Sequence, residues 1–157
     1  MPDMLVKLYE LPDNRELIKE LEGKGIRIIR AMSPSKYKVL DFARKNFGEH
    51  WASECDVAFT NNPVSCFIAV NSDKEIVGFA CYETTCKAFF GPTGVLESYR
   101  GFKIGKALLI SALQGLKEMG YAYGIIGGPE DAVGFYAKAV NAVMIPDSVP
   151  GIYKDMI

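Results

Sequence analysis

The feature that most constrains the fold is a long helical pattern that follows a strand pattern and a short glycine-containing loop. Apolar residues recur at helical spacing from about Phe102 to Met119, and Gly120 ends the pattern. The preceding run from Lys87 to Leu96 favours a strand, but GPTG at 91–94 interrupts it, and two glycines with a proline are typical of a kink or bulge. We therefore expect a strand, a loop and a strong helix in succession, with another group approaching the strand backbone at its kink.

The rest of the chain alternates strand and helix patterns in an order that predicts one mixed sheet. Two apolar runs, Ser65 to Val70 and Ile76 to Tyr82, are separated by four turn residues and predict neighbouring antiparallel strands. The other predicted strands cover residues 4–9, 26–31, 121–126, 143–145 and 152–156, and the other predicted helices cover 14–22, 33–47, 51–59 and 132–140. This order favours an α/β chain with a mixed, α+β-like sheet over a doubly wound parallel sheet.

Composition limits the size class and the partners of the chain. The 157 residues suit one compact domain, so we expect a single domain over 1–157. Eighteen basic and nineteen acidic residues give a net charge of -1 without a basic run, so we expect no nucleic-acid partner. No apolar stretch approaches the roughly 20 residues of a membrane span, and the first residues lack the pattern of a secretory signal. We expect no membrane partner and, by default, a cytoplasmic location.

The cysteines and the single histidine give no metal-binding pattern. Cys55, Cys66, Cys81 and Cys86 form no CxxC pair, and His50 is the only histidine, so we expect no metal site. A nucleophilic cysteine beside a histidine is the functional alternative, and two isolated residue types give it little support. The four thiols are expected to be reduced, buried and inert.

The loop between the predicted strand and the strong helix has the composition of an anion site. A helix start offers free backbone N–H groups and a positive dipole end. Gly101 and Gly105 allow close approach to their amides, and Arg100, Lys103 and Lys106 add positive charge. The loop lacks the spacing of a P-loop and of a dinucleotide-binding turn. An ordinary helix start with exposed basic residues explains this segment equally well when it is taken alone.

The segment YRGFKIGKALL, Tyr99 to Leu109, resembles the [Q/R]-x-x-G-x-[G/A] motif of GNAT (GCN5-related) N-acetyltransferases. Arg100 and Gly105 match the motif, and the preceding V-x-x-x-Y from Val95 to Tyr99 matches as well. Lys103 departs from it, because that position is usually glycine. The resemblance extends to the element order from about Ile26 to the C-terminus, which leaves 1–25 as an N-terminal strand and helix extension.

The resemblance implies a GNAT acyl-CoA N-acyltransferase fold, with a central, mostly antiparallel twisted sheet and helices on both faces. It also implies acetyl-CoA as co-substrate, no metal, and direct acetyl transfer to a primary amine. In the family, the strand before the loop splays from the strand after the helix, and the pantetheine arm enters the gap. The family's coenzyme contacts would fall on Thr93, Gly94 and Val95 for the arm, and on Arg100, Gly101, Phe102, Lys103, Ile104, Gly105 and Lys106 for the pyrophosphate.

A second segment, GFYAKAVNA from Gly134 to Ala142, resembles the helix that brings a tyrosine toward the coenzyme sulfur. The resemblance assigns that catalytic role to Tyr136, as the donor to the departing thiolate. The alternative is a core aromatic beside Phe135 and Ala139. Many relatives also have an asparagine near the start of this helix that contacts the coenzyme, and GGPEDAVG contains none.

The general base and the acceptor are left open by the sequence. Glu83 and Glu97 are the carboxylates nearest the expected cleft, with Glu130 and Asp131 behind them, but a solvated carboxylate at a strand end explains each one better, so no base is assigned. His50 and Trp51 lie on helices that shape the acceptor pocket in relatives, although a surface histidine and a core tryptophan explain them too.

Several alternatives remain at the level of function. The acceptor is a small-molecule or peptide amine, and monomer and homodimer are both left open. A CoA-binding regulatory or sensor module without turnover is the main alternative function, and a purely structural interaction domain is the third.

Overall fold

The computed structural model describes residues 1–157, and its centre is one seven-stranded mixed sheet. The strands are β1 (Met4–Lys7), β2 (Arg27–Arg30), β3 (Cys66–Val70), β4 (Ile76–Tyr82), β5 (Phe89–Val95), β6 (Tyr123–Ile126) and β7 (Val143–Met144). Their order across the sheet is β2-β3-β4-β5-β6-β1-β7. Every neighbouring pair is antiparallel except β5 and β6, which run parallel. The mixed, mostly antiparallel sheet of the sequence prediction is confirmed.

Five helices cover the two faces of this sheet. They are α1 (Arg15–Gly23), α2 (Lys36–Phe47), α3 (Glu49–Ala58), α4 (Ile104–Glu118) and α5 (Val133–Val140), and short 3-10 turns lie at Leu8–Glu10, Ser33–Ser35, Glu97–Tyr99, Glu130–Ala132 and Gly151–Asp155. None of the helices has the length and apolar character needed to cross a membrane.

The sheet separates two apolar cores. One core joins α1, α4 and α5 to the sheet, and the other joins α2 and α3 to the opposite face. Strand β4 serves both cores because its side chains alternate between the faces. Ala80 and Tyr82 belong to the first core, whereas Phe79 and Cys81 belong to the second. The centre of the sheet is therefore apolar on both sides.

The first strand is an interior strand of the sheet. β1 pairs with β6 on one side and with β7 on the other. Met4 and Val6 are at most 1% exposed, and so is Leu8 in the turn that follows. Residues from the start of the chain therefore complete the first core.

One predicted strand is wrong. Residues 152–156 were expected to be extended, but Gly151–Asp155 form a 3-10 turn. Pro150 has no N–H to donate to a ladder, and Gly151 turns the chain with a φ of +60°. The Tyr153 N–H donates to the Pro150 carbonyl, and the Met156 N–H donates to the Tyr153 carbonyl. The local turn therefore satisfies these backbone groups without a neighbouring strand.

The cysteine prediction is also wrong in one place. Cys55, Cys66 and Cys81 are buried in the second core, but Cys86 is exposed in the connection between β4 and β5. The Sγ atoms of Cys81 and Cys55 are 3.6 Å apart. Burial raises the pKa of the Cys81 thiol well above its ordinary value.

Gly115 allows a tyrosine ring to pack against the backbone of α4, and this contact predicts the effect of a methyl group there. A Cβ at this position would lie 2.4 Å from Cζ of Tyr82. We expect Gly115→Ala to lower the free energy of unfolding by about 1 to 3 kcal/mol through overpacking, despite the better helix propensity of alanine. Urea unfolding measures the change.

Gly134→Ala is the matched control, because a Cβ added to Gly134 in α5 meets nothing within 4 Å. This variant should be as stable as the wild type or more stable. Equal stability of the two variants would contradict the packing of Tyr82 on Gly115.

Candidate active site

A cavity opens where β5 and β6 part. The two strands pair only through Phe89 with Ile125 and Phe90 with Ile126. β6 ends there, whereas β5 continues to Val95 and pairs with β4 alone. The gap belongs to a cavity of about 940 Å³ that reaches from the loop before α4 to helix α3. Its volume lies at the upper end of the range typical of ligand sites.

The edge of β5 that faces this gap carries backbone groups without a strand partner. The Leu96 N–H donates to the Val77 carbonyl at 2.9 Å, which directs Leu96 toward β4. Because residues alternate along a strand, the N–H and C=O groups of Thr93 and Val95 point to the other edge. The register shift between Ala80 and Tyr82 places the predicted irregularity of β5 at this gap.

An aromatic ring covers the other side of β5 at Gly94. A Cβ there would lie 2.5 Å from Cζ of Phe47, so only glycine accommodates the ring. Phe47 in turn stacks on the Trp51 indole, with 5.1 Å between ring centroids. The second core therefore supports β5 from behind at the level of the gap.

The loop before α4 presents six consecutive backbone N–H groups that make no hydrogen bond within the protein. These groups belong to residues 101–106, and the first satisfied N–H of the helix is that of Ala107, which donates to the Lys103 carbonyl. A helix start of this kind concentrates partial positive charge in one place. The loop is therefore ready to bind an anion.

The backbone at Lys103 is left-handed, with φ at +65° and ψ at 25°. Glycine adopts this conformation without steric cost, whereas other residues do so only at a cost of roughly 1–2 kcal/mol. This geometry gives a physical reason for glycine at the matching position of the motif. It also shows that Lys103 keeps the backbone course that a glycine there would allow.

Cationic side chains surround the free N–H groups. Arg100, Lys103 and Lys106 line the cavity together with Gly101 and Gly105. Nine of the ten predicted coenzyme-binding residues line it, and Phe102 does not. The ring of Phe102 is 40% exposed, and the Lys24 ammonium lies 5.4 Å from its centroid.

Tyr136 reaches the cavity from the first core. Its ring packs edge-on against Phe90 and beside Phe135, at centroid distances of 6.1 and 5.2 Å. Burial raises the pKa of Tyr136 to about 12. No fully buried side-chain oxygen or nitrogen lacks a hydrogen-bond partner, so the hydroxyl, which has no partner in the protein, is the part of Tyr136 open to the cavity.

Of the four carboxylates named from the sequence, only two line the cavity. Glu83 and Glu97 do not line the cavity, whereas Glu130 and Asp131 do, as exposed residues. The Glu83 carboxylate instead accepts the Ala88 N–H at 2.7 Å and the Tyr121 hydroxyl at 2.8 Å. Glu83 therefore ties together the connection between β4 and β5.

Sequence reasoning missed Glu54 and Tyr153, which also line the cavity. Glu54 lies on α3 with His50 and Trp51, and the three residues share one helix face because their spacing is three and four residues. That spacing was the available signal. Tyr153 was missed because its segment was assigned to a strand.

No group of three or more His, Cys, Asp or Glu side chains is arranged to hold a metal ion.

A family model described as "Acetyltransferase (GNAT) family" matches residues 36–141, about two thirds of the chain. The chain belongs to the GNAT acetyltransferase family. The match begins at α2 and extends through α5. Comparison with curated protein sequences gives no match.

Solved structures have the same GNAT fold. The chain superposes on the GCN5-related N-acetyltransferase from Sphaerobacter thermophilus with a TM-score of 0.71 and 18% identity, over 92% of this chain and 48% of that one. It also superposes on the GCN5-related glucosamine N-acetyltransferase region of a fungal multi-domain GH3 β-N-acetylglucosaminidase, with a TM-score of 0.73 and 16% identity, over 92% of this chain and 19% of that one. The present GNAT chain thus spans less than half the length of either solved chain.

Alkaline unfolding gives a direct measure of the environment of Tyr136 in this GNAT protein. An unfolded tyrosine ionises near pH 10, whereas folded Tyr136 holds its proton to about pH 12. Its contribution to stability is therefore complete below pH 10 and is lost as the pH rises from 10 to 12. At pH 11 we expect a loss of about 1.4 kcal/mol from this residue, in the free energy of unfolding by urea.

Tyr136→Phe removes this pH-dependent contribution, because phenylalanine has no ionisable hydroxyl. Burial also raises the pKa of Tyr153 to about 12, so both proteins should lose stability above pH 10. Between pH 9 and pH 11 the wild type should lose more of its free energy of unfolding than the variant does. A difference independent of pH would contradict a desolvated phenol at this position.

Proposed function

We propose that the protein is an N-acetyltransferase that moves an acetyl group from acetyl-CoA directly to a primary amine. The observation that carries the proposal is the row of six free N–H groups at residues 101–106, placed between Arg100, Lys103 and Lys106 at one end of the cavity. A pyrophosphate fits such a site, because its oxygens can accept from consecutive amides at a positive helix end. GNAT membership supports the same reading.

The free edge of β5 suits the amide-containing arm of the coenzyme. In our proposal the arm lies along Thr93 and Val95, whose backbone groups face the gap, and takes the place of a neighbouring strand. The reacting end then lies beside Tyr136, which joins the cavity from α5. The cavity provides both the volume and the row of donors that this pose requires.

Transfer forms a C–N bond and breaks the C–S bond of the thioester. The ammonium of the acceptor first loses a proton to solvent, which costs nearly 5 kcal/mol at pH 7 for an amine of pKa about 10.4. The free amine then attacks the carbonyl carbon, its nitrogen loses a second proton to solvent, and the coenzyme sulfur leaves as a thiolate. We assign the Thr93 N–H as the backbone donor to the oxyanion, because it faces the gap and lies farther from the anion loop than Val95 does.

The acidity of Tyr136 decides how it assists the leaving sulfur. A phenol of pKa about 12 is a weaker acid than a thiol of pKa about 8.5 by roughly 3.5 units, or nearly 5 kcal/mol. Full proton transfer from Tyr136 to the thiolate is therefore uphill. The hydroxyl acts as a neutral hydrogen-bond donor that stabilises the developing thiolate, and solvent supplies the proton afterwards.

Acetyl-CoA should stabilise the folded protein, and Gly105→Val should abolish the effect. At about 100 times its dissociation constant, the coenzyme should add roughly 2.7 kcal/mol to the free energy of unfolding. A branched side chain at Gly105 would occupy the space above the free amides. Within the protein, a Cβ there makes only ordinary contacts of 3.8 and 3.9 Å with Val95 and Phe135, so the fold should be retained. Chemical unfolding with and without acetyl-CoA measures both effects.

Gly134→Val is the matched control for this substitution. Gly134 is the second residue of α5, as Gly105 is of α4, but it does not line the cavity. It should keep the stabilisation by acetyl-CoA. If millimolar acetyl-CoA does not stabilise the wild type, the proposed function is contradicted.

Tyr136→Phe should lower the turnover number by a factor of about 100 with little change in coenzyme affinity, because the lost hydrogen bond strengthens mainly in the transition state. Thiol release in the presence of a panel of primary amines measures turnover, and the unfolding assay measures affinity. A well-folded variant with full activity would remove Tyr136 from the mechanism. Coenzyme binding by the wild type without thiol release for any amine would favour the sensor module over the enzyme.

A further inference from the structure

The cavity has a second end, built from different residues than the coenzyme loop. Helix α3 contributes His50, Trp51 and Glu54 to its lining, and the C-terminal turn contributes Tyr153 and Met156. His50 Nε2 lies 3.0 Å from a main-chain oxygen of Ile157, which links α3 to the last residues of the chain. This end of the cavity is thus bounded on two sides.

Contacts along β5 place this end away from the anion loop. The Thr85 hydroxyl donates to the Glu54 carboxylate. Its neighbour Thr84 donates to the Gly91 carbonyl at 2.9 Å. Glu54 therefore lies near the Gly91 end of β5, whereas the anion loop begins beyond Val95. The cavity has a carboxylate near one end of β5 and free N–H groups with cations beyond the other.

The Glu54 carboxylate is held in place without a cationic partner. Thr85 donates to Oε2, and no Lys, Arg or His nitrogen lies within 4.0 Å of either oxygen. Its negative charge reaches Tyr153, where it adds to the effect of burial in raising the pKa of that phenol. A half-buried carboxylate with one positioned oxygen and no counter-ion favours a cationic ligand.

An aromatic wall connects Glu54 to the reacting part of β5. The Phe47 ring covers Gly94, and the Trp51 indole stacks on Phe47. Glu54 follows Trp51 by three residues, which places it on the same side of α3 about one turn away. An ammonium group bound at Glu54 would lie beside an indole, and aromatic faces attract cations.

Building on the acetyl transfer proposed above, we infer that Glu54 recognises an ammonium group of a cationic alkylamine acceptor other than the amine that is acetylated, with Thr85 as its positioning residue and Trp51 as the aromatic wall. The site selects acceptors that are protonated at neutral pH. Neutral aromatic amines and acceptors with an acidic group next to the amine are excluded by the same carboxylate. Glu130 and Asp131 also line the cavity, but they are exposed and no hydrogen bond orients their carboxylates.

The single tryptophan of the chain makes this assignment measurable without turnover. Trp51 is the only tryptophan, so its fluorescence reports directly on this end of the cavity. Butylammonium and its neutral analogue 1-butanol are titrated at constant ionic strength into wild type, Glu54→Gln and Glu49→Gln. Glu49 is the matched control, because it lies on the same helix and outside the cavity lining, with Arg44 3.5 Å away.

We expect saturable binding of butylammonium to the wild type. In Glu54→Gln the affinity should fall about 10-fold or more, because a charged hydrogen-bond partner is lost. In Glu49→Gln the affinity should be unchanged. The response to 1-butanol should not depend on Glu54. Thr85→Val should also weaken the binding of butylammonium, by a smaller factor than Glu54→Gln does. Thiol release from acetyl-CoA with 1,4-diaminobutane, which carries one amine to react and a second to bind as ammonium, should show the Glu54 effect in KM, with kcat changed less.

Equal affinity of wild type and Glu54→Gln for butylammonium, or no saturable response, would overturn this assignment. Stabilisation by acetyl-CoA is measured in the same samples. If it persists, only the acceptor assignment fails and the coenzyme site stands. If it is absent as well, the proposed acetyl transfer fails with it.

Discussion

The parting of β5 from β6 is the constraint on which the rest of the site depends. The parallel pair holds for two residues of each strand, and β5 then continues with one edge free. That edge would be an unsatisfied row of backbone groups unless something else pairs with it. The free edge, the free amides of the following loop and Tyr136 all border the same gap, because α4 and α5 begin next to it. One departure from regular pairing thus creates the cavity and aligns its donors.

The two ends of the cavity have opposite electrostatic character, and this sets the direction in which substrates are expected to lie. Free amides and three cations are at the loop beyond Val95, and Glu54 is near Gly91. The middle is apolar, with Phe90 and Tyr136 on one side and the aromatic rings behind Gly94 on the other. A donor with anionic phosphates and an acceptor with an ammonium group would therefore enter from opposite ends. Their reacting atoms would meet near Tyr136, the buried phenol.

Local patterns in the sequence predicted the core of this architecture, and long-range pairing decided the parts that they missed. The strand, loop and helix from 87 to 119 were predicted because periodicity and glycine positions are local signals. The interior position of β1 was not predicted, because its pairing with β6 joins residues more than a hundred positions apart. The wrong strand at 152–156 has a similar origin, because an apolar run in the sequence does not reveal whether a partner strand exists. Pro150 also lacks the N–H that a strand ladder would use.

The candidate site, like the fold, was predicted only in part from the sequence. The motif pointed to the loop, but only the backbone angle of Lys103 explains how a lysine occupies a glycine position. Glu54 was missed because its role depends on Thr85, 31 residues away in the chain. Conversely, Glu83 looked available from its strand-end position, and its two hydrogen bonds to Ala88 and Tyr121 show that it is structural.

Nuclear magnetic resonance and hydrogen exchange of the backbone amides of residues 101–106 give the most direct test of the anion site. Coenzyme A and pantetheine are compared as ligands, because pantetheine lacks the pyrophosphate. We predict that coenzyme A shifts and protects these six amides, and that pantetheine perturbs the β5 edge but leaves them exchanging as in the free protein. Binding of coenzyme A without any change at residues 101–106 would contradict the assignment of this loop as the anion site.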